Sequence, residues 1–208
     1  MLIEQRRAER WGPAAAIVSA VLFVVTFSLV GDTGNTAADS AKKLPQHQTA
    51  LVAAFVTGIL SMMAALAFFA WLRDLIRAAA PERTTLGRIS LAAAAAMAAL
   101  IPGSLSILAG AAQAGKDAEL TPALAAFAND AQFPFLAAGV MFGGLASFCA
   151  MLALKGTGAV PAWLCWAGMV VGVVALAAIA FVPIPLWFLW LLVAGIVLLV
   201  RPPAAATG

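Results

Sequence analysis

Charge is what this 208-residue chain has least of. Only 10% of its residues are Asp, Glu, Lys or Arg, against about 25% in an ordinary globular domain. Histidine occurs once, as His47, and cysteine twice, as Cys149 and Cys165. Each scarcity excludes something. A lone histidine cannot supply the paired axial ligands of a haem, and the chain by itself lacks the ligands of a zinc site. Both cysteines fall inside apolar runs, so no disulfide framework is indicated. Walker and Rossmann glycine patterns are missing too, and no cofactor is implied. The formal charge of +3 has no basic stripe interleaved with aromatics behind it, so nucleic acid is not an expected partner.

What the chain has in quantity is apolar sequence: 64% of residues are hydrophobic. A soluble domain could not cover that much apolar surface, and several runs reach the roughly 20 residues needed to cross a bilayer. The expected fold class is all-α, a polytopic membrane protein with six transmembrane helices in one bundle spanning residues 1–208. The spans read as approximately 13–30, 49–72, 89–112, 133–154, 161–182 and 185–200. The last is short, roughly 23 Å at helical rise. The first, preceded by Arg6, Arg7 and Arg10, also has the outline of a signal peptide. It is longer than such an apolar region, and no convincing cleavage site follows it, so it reads as a retained span.

Orientation comes from the stretch Arg73 to Arg88, which cannot sit in hydrocarbon and lies between two apolar runs. Basic flanks stay on the cytoplasmic side. Placing Arg73, Arg77, Arg83 and Arg88 inside puts Arg6, Arg7, Arg10, Lys155 and Arg201 there too, leaving only Lys42, Lys43 and Lys116 outside. Both termini are then cytoplasmic and the protein belongs in the plasma membrane. Tryptophans are expected at the interfaces: Trp11, Trp71, Trp163 and Trp166 at the inner one, Trp187 and Trp190 towards the outer.

Short surface helices are expected in the two outer loops. In the first, Thr36 or Asp39 would cap one and Pro45 would end it. In the second, Thr121-Pro122 would start one running to Asp130. Pro183-Ile184-Pro185 reads as a minimal outer turn, and Pro102 predicts a kink in the third span.

The cores of the six spans contain no Asp, Glu, Lys, Arg or His. A charge held there costs about 2.5–3.5 kcal/mol even on the lenient scale and is kept for a purpose. Its absence argues against proton-coupled transport. The remaining polar groups are candidates for a cavity or outer vestibule: Ser104, Ser106, Gln113, Asn129, Asp130 and Gln132. Interhelical hydrogen bonding, helix capping and loop solvation account for the same residues. Arg73, Arg77, Arg83 and Arg88 are candidate contacts for anionic lipid headgroups, although as orientation signals they need no such role. His47 is a metal or pH-sensing candidate, or a solvated loop residue. Cys149 and Cys165 lie at similar depth on neighbouring spans, either as a redox pair or as two small apolar side chains. Gly139-x3-Gly143 and Gly168-x3-Gly172 predict close packing of the fourth span on the fifth, or else a homodimer face.

Three segments carry a resemblance: Gly31-Asp32-Thr33 with Ala37-Ala38-Asp39, then Phe69-Ala70-Trp71-Leu72-Arg73-Asp74-Leu75, and Gly158 to Gly168 opening the fifth span. Together they resemble uncharacterised actinobacterial six-helix integral membrane proteins, a domain of unknown function, over about residues 14–200. The family pattern carries glycine where this chain has Cys165. The resemblance implies no activity and no catalytic residues. The function expected is a non-enzymatic accessory or assembly subunit, with the lipid bilayer and a membrane-protein partner or a second copy of itself as partners. The alternative is a small uncoupled transporter or permeation protein for an apolar or zwitterionic solute. A third expectation is an enzyme on a lipid-like substrate using Asp130 or His47.

Overall fold

The computed structural model of the chain describes residues 2–117, 119–177 and 183–203. Seven α-helices follow one another: α1 (Leu2–Val30), α2 (Ala37–Gln46), α3 (Gln48–Ala79), α4 (Thr84–Asp117), α5 (Pro122–Leu154), α6 (Ala162–Ala175) and α7 (Pro183–Val200). A 3-10 turn, Pro81–Arg83, joins α3 to α4. No strand occurs among the described residues. Four stretches are long and apolar enough to cross a membrane: Arg10–Val30, Gln48–Ala79, Pro81–Lys116 and Pro122–Leu154. Ala162–Ala175 and Ile184–Val200 are apolar but shorter. Positions 178–182, the end of the expected fifth span, lie outside the described residues.

The helices other than α2 pack as a closed ring in the order α1, α3, α4, α5, α6, α7 and back to α1. Contacts between neighbours fix which termini share an end. Gly12 of α1 sits against the ring of Trp71 in α3, and Gly195 of α7 lies against Pro13 and Ala16 of α1. Arg83 reaches the last turn of α5, donating from Nη1 to the carbonyls of Ala153 (3.2 Å) and Lys155 (2.9 Å). Those carbonyls have no partner within their own helix, so the short turn after α3 caps α5. Arg10, Arg73, Arg77, Arg83, Arg88, Lys155 and Arg201 therefore gather at one end of the ring. Lys42, Lys43 and Lys116 lie at the other, beside α2.

Local sequence explains most helix starts. Thr36 caps α2, its hydroxyl accepting from the Asp39 amide at 3.2 Å, as expected; Pro45 lies in the last turn rather than beyond it. Thr121 caps α5, accepting from the Leu124 amide, with Pro122 in the first turn. The separate surface helix expected over 122–130 does not exist: α5 runs unbroken through Phe133 and Pro134 to Leu154. Proline at 134 removes only the bond to the Asp130 carbonyl, while Ala125, Ala128, Leu136 and Ala137, buried on both sides of it, hold the axis together. The proline turn expected at 183–185 is likewise helix, the first turn of α7. Proline is tolerated there because an N–H in that turn has no intrahelical acceptor.

Tryptophan placement divides. Trp11, Trp163 and Trp166 are half exposed, as interface residues should be, but Trp71, Trp187 and Trp190 are buried inside the ring. Trp187 stacks with Phe69 and meets Phe188 edge-on. Its indole N–H donates to Ser147 Oγ at 2.9 Å. That bond offsets the cost of burying the Trp187 N–H, whereas the buried Trp190 Nε1 has no partner among the described residues.

The glycines pack within the chain. Gly139 faces Ile101, and Gly143 faces Met97 and Trp187, so this pair admits α4 and α7 rather than α6. Gly144 is the residue that meets Gly172 of α6: a Cβ on either would lie 2.7 Å from the other's carbonyl oxygen. Cys149 and Cys165 are buried free thiols on these two adjacent helices.

Candidate functional site

At the α2 end, side chains tie the connecting segments down. Asp32 accepts from the Gly34 amide (2.9 Å) and pairs with Lys43 Nζ (2.6 Å), which also reaches Asp39 at 2.8 Å. The hydrogen bond from Lys43 holds the Asp32 carboxyl below its usual range, and bonds to Asp32 and then Asp39 raise the Lys43 ammonium. The signs follow from linkage. The Asp32 contribution is present above the ordinary carboxylate range and is lost as pH falls through its lowered value. The Lys43 contribution is present below the ordinary lysine range and is lost only as pH rises through its raised value. Amide protection over residues 31–46, taken relative to the intrinsic exchange rate at each pH, is therefore expected to fall on acidification through the lowered Asp32 value, and Asp32→Asn is expected to flatten that response. Protection that stays constant over that interval in the unaltered chain would contradict it.

Asn129 is the second tie. Its amide nitrogen donates to Ser40 Oγ (2.6 Å) in α2 and to the Thr33 carbonyl (3.5 Å). Gln48 and Gln113 join their side-chain amides across α3 and α4. Leu44 of α2 fills a small apolar cluster with Leu51, Leu108, Ala112 and Leu120. His47 is exposed at the junction of α2 and α3, and its carbonyl accepts from Leu51 at 2.9 Å.

The sequence-expected vestibule residues do not gather in one place. Ser104 is buried and returns its hydroxyl to the Ile101 carbonyl; Ser106 is exposed and bonds Gly103 in the same way. Ser106 lines a shallow groove between α4 and α5 with Leu124 and Phe127. Asp130 is exposed. Gln132 lines a cavity of about 220 Å³ enclosed by α1, α4 and α5, with the loop after α1 over it. Its walls are Phe23, Phe27, Phe133, Ile101, Leu105 and Leu136, its polar groups Thr26, Thr33 and Gln132. Thr26 is 1% exposed, bonded to the Leu22 carbonyl at 2.8 Å and to Thr57 Oγ1 at 2.9 Å. A larger groove of about 620 Å³ between α1 and α7 shares Phe23 and Phe27 with this cavity and is lined by apolar side chains and Ser28.

The candidate headgroup arginines divide by partner. Arg73 pairs with Asp74 at 2.6 Å, and Arg83 is engaged by the α5 carbonyls and Glu82. Arg77 and Arg88 are exposed. Lys155 Nζ stands 3.8 Å over the Trp166 ring, an attraction of about 0.5–1 kcal/mol at an exposed site.

Every buried polar side chain among the described residues is a hydroxyl: Ser19, Thr26, Ser40, Ser61, Ser90, Ser104 and Ser147. Several cross between helices. Ser61 donates to the Ser19 carbonyl and Ser90 to the Ala146 carbonyl, both at 2.8 Å. Among the described residues no three His, Cys, Asp or Glu side chains come together as metal ligands. The class defined by four helices of membrane-crossing length around a neutral, hydroxyl-bonded interior is a helical membrane protein. Family models, curated proteins and solved structures give no match to the chain.

Proposed function

We propose that the chain is a six-span plasma-membrane protein with both termini in the cytoplasm, acting as a non-enzymatic accessory or assembly subunit. The observation that carries this reading is the neutral interior. The described buried polar residues carry hydroxyls, several held in interhelical or intrahelical hydrogen bonds, beside the uncharged indole N–H groups of Trp187 and Trp190, and none of these is a charge relay or counter-ion inside the ring. The six-span count draws support from α6 and α7, which complete the ring beside the four long helices. The inward termini draw theirs from the arginines sharing one end. Membership of the actinobacterial six-helix family belongs to the same proposal and rests on the segments quoted above. An accessory subunit has a partner, a membrane protein or a second copy of itself, and its apolar outer faces on α1 (Val18, Val21, Val24 and Val25 are exposed) are available to one.

Native mass spectrometry of the chain released with its own lipids tests this. A fixed-stoichiometry complex with another chain, or with a second copy, is the expected mass. A bare monomer under conditions that preserve other membrane complexes contradicts the assignment.

A further inference from the structure

The cavity between α1, α4 and α5 is built differently from the grooves along α1 and α7 and between α4 and α5. It is walled by three phenylalanines and four aliphatic side chains (Val30, Ile101, Leu105 and Leu136), and hydrogen-bonding groups from three segments reach it: Thr26 from α1, Thr33 from the following loop and Gln132 from α5. None of its lining residues is charged. The Gln132 side chain makes no hydrogen bond to another described residue, so its amide keeps both a donor and an acceptor to offer. Thr26 Oγ1 retains a lone pair beyond its contacts to Leu22 and Thr57.

Two prolines adjoin the same space. Ile101 precedes Pro102 in α4, and Phe133 precedes Pro134 in α5. Each proline leaves the carbonyl one turn earlier without its helical donor, while the two helices stay closely packed where Gly139 meets Ile101. The aromatic pair Phe23 and Phe27, 4.9 Å apart between ring centres, separates the cavity from the groove along α7.

From this we infer that the cavity is a binding site for a small neutral amphiphile, an aromatic or branched apolar body bearing one hydroxyl or amide group. Size sets the first limit: an apolar cavity of about 150 Å³ accepts benzene, so about 220 Å³ accommodates a ring with one polar substituent. Charge sets the second. An ion or zwitterion entering here would find no counter-charge to offset its lost hydration, whereas one hydroxyl or amide can be matched by Gln132 and Thr26. The inference extends beyond the accessory role and does not need it, because the site lies inside a single chain.

The test uses the detergent-solubilised full chain and two ¹⁹F NMR probes, 4-fluorobenzyl alcohol and 4-fluorotoluene. The unaltered protein should give a saturable bound resonance for the alcohol. Gln132→Leu and Thr26→Val should each weaken the alcohol about five- to tenfold, the size of one hydrogen bond, while binding of fluorotoluene persists and reports an intact cavity. Val30→Trp, which fills the space from the end of α1, should abolish both signals; Leu136→Phe serves if that chain does not fold. The inference is overturned by an alcohol signal that never saturates, by equal alcohol affinity in the two polar variants, or by binding that survives filling.

Discussion

Replacing Gly144 or Gly172 by leucine is expected to destroy the folded bundle. At each position the first added carbon would lie 2.7 Å from the opposing backbone carbonyl oxygen. Neither side can give way by a rotamer change, because the obstacle is main chain on both helices. The axes of α5 and α6 must separate, and the interdigitation of neighbouring side chains goes with them. Ordinary overpacking of a core costs about 1–3 kcal/mol; a reciprocal backbone clash belongs at or above the top of that range. That is a large share of the 5–15 kcal/mol typical of a whole domain. The internal control is Gly110→Ala in α4, where an added carbon meets nothing within 4 Å and helix propensity favours alanine by about 0.5–1 kcal/mol. Thermal unfolding monitored by helical circular dichroism in one detergent should show loss of the cooperative transition in the first two variants and an unchanged or raised midpoint in the third. Equal midpoints across all three would mean that α5 and α6 do not touch there.

The second large effect belongs to Trp187. Its side chain is fully buried, stacks on Phe69, covers Gly143 and donates to Ser147 Oγ, which passes its own proton to the Gly143 carbonyl at 2.9 Å. Trp187→Ala removes the largest side chain at the meeting of α3, α5 and α7 and should cost about 3–5 kcal/mol. Trp187→Phe keeps much of the packing but strands part of the space and the Ser147 acceptor, for a smaller loss. Ser147→Ala leaves the indole N–H without a partner, about 1–3 kcal/mol. The order of the three variants in denaturant or heat is the informative quantity. If Ser147→Ala were silent while Trp187→Phe was costly, packing alone would hold this centre.

Trp187 also marks where reading the sequence stops. Tryptophan near the end of an apolar run is read as a membrane-interface anchor, and Trp11, Trp163 and Trp166 are exposed as that rule requires. Turned inward, Trp187 pairs with a serine 40 residues earlier, a pairing that no local pattern announces. The helical class was legible because it depends on composition. So was the capped helix after Thr36, whose hydroxyl sits three residues before the amide it receives. The α5 boundary was misjudged for a related reason: proline at 134 looks like a break when its neighbours' burial is invisible. The glycine repeats signalled close helix approach, yet the partner of Gly172 is Gly144, one residue outside the Gly139-x3-Gly143 spacing. Of the polar residues singled out as a vestibule, Gln132 reaches the α1–α4–α5 cavity, and its companions there, Thr26 and Thr33, carry no distinguishing pattern in the sequence.

The account rests on ionisable side chains standing at two opposite ends of a bundle that crosses the bilayer. Arg77, near the end of α3, and Lys116, near the end of α4, are both exposed. They are separated by most of the length of α4, roughly 50 Å at helical rise, more than the hydrocarbon thickness of about 30 Å. Single cysteines placed by Arg77→Cys and Lys116→Cys, with Cys149 and Cys165 changed to alanine, can be probed in intact cells with a membrane-impermeant maleimide. Labelling of position 116 alone, with position 77 reacting only after the membrane is opened, is the predicted result. Labelling of both positions from the same side would contradict it.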